Sequence, residues 1–317
     1  MRILMMGTGP FAVPTFRALL DSPHEVLALV TRPTPPAKGR EKASLNPMRD
    51  LAEERRLEVY APDSINTDEA AARLQEWNAD LFVVCDYGQI LSRAALGLAP
   101  LGGINLHASL LPKYRGAAPI NWAILNGEAE TGITVIHMTP RLDGGPCLVV
   151  RSTPIGYEET APELERRLSE MGVTAVLAAI DKLAGWDRVS PLGNLQPKAL
   201  VTKAPRLAKT DGLIDWTKPA TFIQRQVRAL KPWPTTFTHW QRPQGEPLRV
   251  IVDHVVVLPE SAGAEPGTVV VSDGKQLIMA TGEGRIAIDL LQPAGKRVLK
   301  IEEFLRGYPV KVGERFA

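Results

Sequence analysis

Residues 2–31 read RILMMGTGPFAVPTFRALLDSPHEVLALVT, and this stretch decides the class of fold. The apolar run Arg2–Met6 predicts a buried strand, a glycine turn follows it, and the pattern over Ala12–Leu20 predicts a helix. A second apolar run, Val26–Thr31, predicts another strand. A strand, a crossover helix and a second strand form the repeating unit of a parallel sheet.

The same alternation continues through the first 183 residues. Further helices are predicted at Met48–Arg56, Glu69–Trp77, Pro119–Leu125 and Ala161–Leu183. Further strands are predicted at Leu81–Cys85, Ile104–His107, Thr134–Met138 and Leu148–Arg151, the last of them after a tight turn at Gly144–Gly145. We therefore expect a doubly wound, mainly parallel, Rossmann-like α/β sheet over residues 1–186.

The remaining residues follow a different pattern. Residues 187–206 contain three prolines and little periodicity, which predicts a linker. After it come a short helix near Ala220–Leu230 and several Val- and Ile-rich runs separated by Gly/Pro turns, at Arg249–Leu258, Gly267–Val271, Gln276–Ala280 and Ile286–Gln292. Short strands at near-regular spacing predict a small β-barrel of the OB type over residues 207–317.

Composition sets the broad class of the chain. Of its 317 residues, 44% are hydrophobic and 23% are charged, which is typical of globular proteins. Cys85 and Cys147 are too few for a disulfide framework, and no Cys/His cluster has metal-ligand spacing. We expect a cytoplasmic, monomeric protein without a metal. The net charge of +2 is unevenly spread, because residues 204–317 are basic and the residues before them slightly acidic.

The glycine turn after the first strand matches a dinucleotide-binding pattern. Residues 7–12 read GTGPFA and fit the form G-x-G-x-x-A between a strand and a helix. The second strand should then end in an acidic residue that binds the ribose, but it ends in Thr31 and Arg32. We favour the interpretation that the glycines let the turn and helix pack closely on the sheet. An NADP-linked oxidoreductase remains the alternative.

Polar side chains with catalytic potential lie in the stretch 102–116, which reads GGINLHASLLPKYRG. Asn105 and His107 stand two residues apart in an apolar strand, so they share one face of the sheet. Asp143 follows the next strand and is expected at the same edge. An amide stabilises an oxyanion, an imidazole transfers protons, and a carboxylate orients the imidazole. Together they suit transfer of an acyl group to an amine.

These residues resemble the folate-dependent formyltransferases. The resemblance rests on Asn105-x-His107-x-Ser109-Leu110-Leu111-Pro112 with Arg115-Gly116, on the Asp143-x-Gly145 loop, and on residues 7–14 and 211–216. It implies 10-formyltetrahydrofolate as co-substrate, a catalytic trio of Asn105, His107 and Asp143, and a folate pocket built from Tyr87, Gly88, Gln89, Ile90, Leu91, Ser109, Leu110, Leu111 and Pro112. Two positions depart from the family pattern. Asp86 replaces a small residue, and Gly144-Gly145-Pro146 replaces Thr-Gly-Asp.

The resemblance also implies an acceptor. Family members that act on methionyl-tRNA carry an inserted basic loop after the second strand, and here residues 31–42 are rich in proline and basic residues. We expect Lys38, Arg40 and Lys42 to contact the phosphates of initiator methionyl-tRNA, with help from the barrel. A sugar-nucleotide formyltransferase is the alternative enzyme, and a nucleotide- or folate-binding regulator without turnover is the alternative from another class.

Overall fold

The computed structural model describes residues 1–34, 46–260 and 263–317. The chain divides into two compact units. The first comprises residues 1–119, 130–154 and 164–205, and the second comprises residues 120–129, 155–163 and 206–317. Residues 187–205 of the predicted linker 187–206 therefore group with the first unit, and two short earlier segments group with the second.

The first unit is built on a seven-stranded sheet with helices in its connections. The strands of this sheet are β1 (Arg2–Gly7), β2 (Glu25–Val30), β3 (Glu58–Tyr60), β4 (Leu81–Cys85), β5 (Gly103–His107), β7 (Glu130–His137) and β8 (Cys147–Pro154). Two short strands, β6 (Arg115–Gly116) and β9 (Lys203–Ala204), pair with each other in a separate two-stranded sheet. The helices up to residue 184 are α1 (Val13–Leu20), α2 (Pro47–Glu54), α3 (Asp68–Glu76), α4 (Arg93–Leu96), α5 (Pro119–Leu125) and α6 (Ala161–Ala184). Of these, α5 from residue 120 onward and the first three residues of α6 group with the second unit.

The strand order of the sheet is β3-β2-β1-β4-β5-β7-β8. The pairs from β3 to β5 are parallel, and the pairs β5–β7 and β7–β8 are antiparallel. The predicted mainly parallel α/β fold is thus confirmed. The predicted tight turn at Gly144–Gly145 is wrong, because β7 and β8 are joined by residues 138–146, in which Asp143 rather than a glycine has a positive φ of 47°.

The core of this sheet comes from its central strands. Residues 3–6 of β1 are completely buried, and all five residues of β4 are buried as well. A strand buried on both faces reads as a continuous apolar run, which is why these two strands were the easiest to predict. Their carboxyl ends form the edge at which the polar residues Asn105 and His107 emerge from β5.

The second unit contains a nearly closed antiparallel barrel. Its elements are α7 (Ala220–Ala229), β10 (Phe237–Gln241), β11 (Leu248–Leu258), β12 (Val269–Ser272), β13 (Leu277–Ala280), β14 (Arg285–Pro293), β15 (Leu299–Lys300), α8 (Ile301–Gly307) and β16 (Arg315–Phe316). The strand order is β12-β13-β14-β11-β10-β16. Hydrogen bonds of residues 267–269 with residues 313–316 connect the first and last strands of this order. The predicted small barrel is confirmed.

Four elements of the barrel do not appear among the sequence predictions, namely β10, β15, α8 and β16. β10 reads FTHWQ and lacks the Val and Ile that marked the other strands, α8 is only seven residues long, and β15 and β16 have two residues each. α8 places Phe304 in the barrel core, where its ring lies near Trp240. None of the helices described here is long and apolar enough to cross a membrane.

Candidate active site

Asn105, His107 and Asp143 meet at the edge of the first sheet. The Asn105 amide nitrogen Nδ2 donates to Oδ1 of Asp143 at 3.4 Å, and Nδ1 of His107 lies 3.7 Å from Oδ2 of the same carboxylate. Both side chains come from one face of β5, as their spacing predicts. The imidazole and the carboxylate are nearly buried, with 6% and 9% of their side chains exposed. An amide donor, a proton-transfer group and a carboxylate therefore surround one point.

The backbone of residues 109–116 fixes the orientation of the His107 ring. Nε2 of His107 lies 2.9 Å from the carbonyl oxygen of Tyr114. A carbonyl oxygen can only accept, so Nε2 carries a hydrogen and donates it. The nitrogen that remains for proton transfer is therefore Nδ1, the one that faces Asp143. The hydrogen bond from Nε2 to the Tyr114 carbonyl oxygen therefore fixes the tautomer of the ring, and the Asp143 carboxylate lies beside the other nitrogen, Nδ1.

Asp143 receives a second hydrogen bond from the main chain. The N–H of Gly116 donates to Oδ2 at 2.9 Å. Gly116 has a φ of +127°, and a Cβ atom there would lie 2.4 Å from the carbonyl oxygen of Ala204, so only glycine fits between the carboxylate and β9. The Arg-Gly pair in the sequence motif thus serves to place one N–H on the carboxylate.

Residues of the segment 187–206 support the site, and sequence reasoning missed them. The Gln196 amide donates to the carbonyl oxygens of Asp143 at 2.8 Å and Gly145 at 2.7 Å, and its own oxygen accepts two hydrogen bonds from Arg115. The hydroxyl of Thr202 accepts from the N–H of Tyr114 at 2.8 Å. One polar side chain from a segment without periodicity therefore fixes both the Asp143 loop and the Arg115 strand.

The loop 87–91, predicted to bind folate, presents few of its side chains to solvent. Tyr87 and Leu91 are buried at 2% and 1% exposure. The Tyr87 hydroxyl has no hydrogen-bond partner among the described residues, and burial raises its pKa. The Gln89 side chain accepts from the N–H of Ile65 at 2.8 Å and donates to the carbonyl oxygen of Pro62 at 3.2 Å. These three side chains hold the loop in place.

The exposed surface of this loop comes from Gly88 and Ile90, the latter 57% exposed. In the second predicted folate segment, Ser109 is fully buried and its hydroxyl donates to the carbonyl oxygen of Lys113 at 2.7 Å. Leu111 is also buried, and Leu110 and Pro112 are half-buried. Binding of a flat ring by these two segments would therefore rely mainly on backbone groups and on the Ile90, Leu110 and Pro112 side chains.

Lys38, Arg40 and Lys42, predicted to bind tRNA, lie outside the described residues. Within the described ranges, no group of three His, Cys, Asp or Glu side chains is arranged to hold a metal ion.

Two protein-family models match the chain. Residues 1–180 match the formyl transferase model, and residues 206–309 match the C-terminal domain model of formyl transferases. The chain therefore belongs to the formyl transferase family, as the motif around Asn105 and His107 predicts.

Individual members of the family are similar to this chain over nearly its whole length. The methionyl-tRNA formyltransferase of Rhodopirellula baltica is 48% identical over 99% of this chain and 96% of its own length, and that of Desulfotalea psychrophila is 39% identical over 99% and 94%. Among solved structures, the N-formyltransferase of Helicobacter canadensis, in complex with folinic acid and dTDP-3-aminofucose, matches with a TM-score of 0.63 at 18% identity over 90% of this chain and 97% of that one. That likeness shows the fold.

Proposed function

We propose that the chain transfers the formyl group of 10-formyltetrahydrofolate to the α-amino group of initiator methionyl-tRNA. The observation that carries the proposal is that Asn105 Nδ2 and His107 Nδ1 both lie within 3.7 Å of the Asp143 carboxylate. The high identity to two methionyl-tRNA formyltransferases over nearly the whole chain supports this acceptor. We place the reaction in the cytoplasm and expect a monomer to carry it out.

The chemistry starts at the neutral amine of the acceptor. Its nitrogen attacks the formyl carbon, and the carbonyl oxygen becomes an oxyanion in the tetrahedral adduct. The Asn105 amide can donate to this oxygen, since its other partner, Asp143, is held at a long 3.4 Å. The carbon–N10 bond of the folate then breaks, and the adduct collapses to the formamide.

Proton transfer accompanies both steps. The attacking nitrogen loses one proton and N10 of the folate gains one, so the exchange needs a group that can take and return a proton. Nδ1 of His107 serves this purpose because Nε2 is already committed to the Tyr114 carbonyl. When Nδ1 is protonated, the Asp143 carboxylate beside it stabilises the imidazolium. No covalent enzyme intermediate is required, because the amine is itself the nucleophile.

The tRNA is recognised outside this centre. Lys38, Arg40 and Lys42 of the basic loop neutralise phosphates of the acceptor stem in our proposal. In the barrel, the Arg249 guanidinium lies over the Phe237 ring, 4.1 Å from its centroid, and the His239 ring contacts the same Phe. A cation beside aromatic rings on neighbouring strands suits RNA, since bases stack on such surfaces. In contrast, Lys231 and Arg297 are ion-paired with Asp253 and Glu303.

The experiment that tests this function identifies the formylated product. Purified full-length protein is incubated with labelled 10-formyltetrahydrofolate and either methionyl-tRNA or a dTDP-amino sugar. We expect label on the methionine nitrogen, released as N-formylmethionine after mild ester hydrolysis, and little label on the sugar. Efficient labelling of the amino sugar, with none on methionine, would replace our proposal with the sugar-nucleotide alternative.

A further inference from the structure

Asp86 occupies the crevice at which open α/β sheets bind ligands. This crevice lies where the strand order reverses, here between β1 and β4. The carbonyl oxygen of Asp86 accepts from the N–H of Thr8 at 3.1 Å, which ties the two strand ends together. The carboxylate lies directly over the glycine turn, since a Cβ atom on Gly9 would be 1.7 Å from its Oδ2. Gly9 is therefore needed to leave space for an acid.

The charge of Asp86 is poorly compensated. The residue is open to solvent, yet protein atoms surround its carboxylate on most sides, and this desolvation raises its pKa to about 6 although the Arg32 guanidinium opposes the shift. No described residue donates a hydrogen bond to the carboxylate. At neutral pH this carboxylate is charged, and because the residue is exposed, a donor on a bound substrate can reach it.

The negative charge of Asp86 makes this crevice favour cations, whereas the same crevice usually binds anions. In dinucleotide-binding proteins the glycine turn and the following helix attract a phosphate. Here a carboxylate lies over that turn, so it repels anions and favours a cation. The substrates in the proposed function offer few cations, because folate carries carboxylates and tRNA carries phosphates. The acceptor's α-amino group is the exception, since α-amino groups titrate close to neutral pH and a substantial fraction is protonated there.

We propose that Asp86 binds the α-ammonium group of the incoming aminoacyl-tRNA and places it beside the catalytic trio. This inference rests on the proposed function. It is consistent with the register of the sheet, in which Val84 of β4 pairs with Asn105 of β5. Adjacent strands lie about 4.8 Å apart, so Asp86 leaves its strand at the same edge and one strand away from His107. The acceptor reaches the crevice as a cation and loses one proton, through Nδ1 of His107, to solvent. The neutral amine then attacks, and its second proton passes through the same nitrogen to N10 of the folate.

The test compares two forms of the acceptor without turnover. Affinities of the full-length protein are measured, in the absence of folate, for methionyl-tRNA and for the same tRNA esterified with the α-hydroxy analogue of methionine, which carries no amine. We expect the wild type to bind methionyl-tRNA about three- to tenfold more tightly, as a charge-assisted hydrogen bond at a partly exposed site allows. Asp86→Asn should abolish that difference.

Two further variants make the result specific. Asn tolerates the positive φ of 48° at position 86, so Asp86→Asn should fold normally. Gly9→Ala must push the carboxylate aside and should also reduce the preference for the amine. The control is Glu54→Gln, which removes one exposed charge from α2 and should behave as wild type.

Equal preference for the amine in wild type and Asp86→Asn would overturn the inference, as would a wild type that shows no preference. A defect confined to the KM for formyl-folate would overturn it too. If the wild type prefers the amine but does not formylate methionyl-tRNA, the proposed function fails and the binding role of Asp86 stands.

Discussion

The Nε2 atom of His107 lies 2.9 Å from the carbonyl oxygen of Tyr114, and in the proposed mechanism this contact leaves Nδ1 as the nitrogen that exchanges protons. Since Nε2 must donate to this carbonyl oxygen, the nitrogen without a hydrogen in the neutral ring is Nδ1, which lies 3.7 Å from Oδ2 of Asp143. A main-chain carbonyl cannot be removed by a side-chain substitution, so the orientation of the ring depends on the fold of residues 109–116.

Replacing His107 tests the proton-transfer role. We expect His107→Ala to lower kcat by about 10²- to 10⁴-fold, the usual contribution of general acid–base catalysis. Thermal unfolding should show a folded protein. The matched control is His137→Ala on β7, because His137 also contacts a main-chain carbonyl through Nε2, that of Leu101 at 2.9 Å, but lies at the other end of β5. A similar loss of kcat in both variants would argue against a specific role for His107.

Replacing Gln196 tests whether the segment 187–205 positions the catalytic carboxylate. Gln196→Ala leaves the carbonyl oxygens of Asp143 and Gly145 without their donor, and Arg115 without its acceptor. We expect a loss of about 1–2 kcal/mol in the free energy of unfolding and a roughly tenfold lower kcat, because the Asp143 loop is less well fixed. The KM for methionyl-tRNA should change little.

The effect of Gln196→Ala is measured as kcat and as the KM for each substrate, in steady-state assays in which each substrate is varied in turn. A rise in the KM for tRNA at unchanged kcat would mean that the segment binds substrate and does not position Asp143. Thr210→Ala, beyond the segment, provides a control with unchanged kinetics.

The basic loop is tested by salt dependence. Replacing Lys38, Arg40 and Lys42 together with alanine should raise the KM for methionyl-tRNA and leave the KM for formyl-folate unchanged. Each phosphate interaction that the substitutions remove should also reduce the slope of log affinity against log salt concentration by about 0.9. Affinities measured between 50 and 200 mM salt, roughly the range over which such interactions matter, check this. An unchanged slope would exclude binding of phosphates by the loop.

The raised pKa of Asp86 predicts a pH-dependent cost in stability. Its carboxyl binds a proton more readily in the folded chain, at about pH 6, than in the unfolded chain, at about pH 3.9. The free energy of unfolding therefore falls as pH rises through this window, and the cost is complete above pH 6. The groups that face Asp86 are Arg32, which opposes the shift, and Glu165 and Cys85, whose own pKa values are raised in part by its charge.

Asp86→Asn should thus have a higher Tm than the wild type at pH 7.5, and the gain should disappear below about pH 4. Thermal melts of both proteins across this range provide the measurement. A Tm difference that is the same at every pH would show that the substitution acts through packing and not through charge.

The sequence predicted much of the fold because its strongest signals are local. β1 and β4 are buried on both faces and read as apolar runs, and the spacing of Asn105 and His107 places both on one face of β5. The antiparallel pairing of β7 with β5 was not predicted, because the apolar pattern of a strand does not show its direction. The direction depends on how the residues between the two strands cross the sheet. β10 was not predicted because its sequence, FTHWQ, contains none of the Val and Ile residues that mark the other barrel strands.

The supporting residues of the site were beyond sequence reasoning for a physical reason. Gln196 and Thr202 contact residues 53 and 88 positions earlier in the chain, and they lie in a segment with three prolines and no periodicity. Tyr114 acts through its carbonyl oxygen, which every residue has. Among the residues outside β5 that contact or support His107, the sequence identified Asp143 alone, because it follows a predicted strand.

A double-mutant cycle shows whether His107 and Asp143 act on one reacting centre, as we propose. Single-turnover rates of formyl transfer to methionyl-tRNA are measured for the wild type, His107→Ala, Asp143→Asn and the double variant, each saturated with both substrates. Residues that act as a unit give non-additive losses, so we predict that the double variant is no more than about threefold slower than the slower single variant. Losses that multiply would show that the two side chains act independently and would contradict the account.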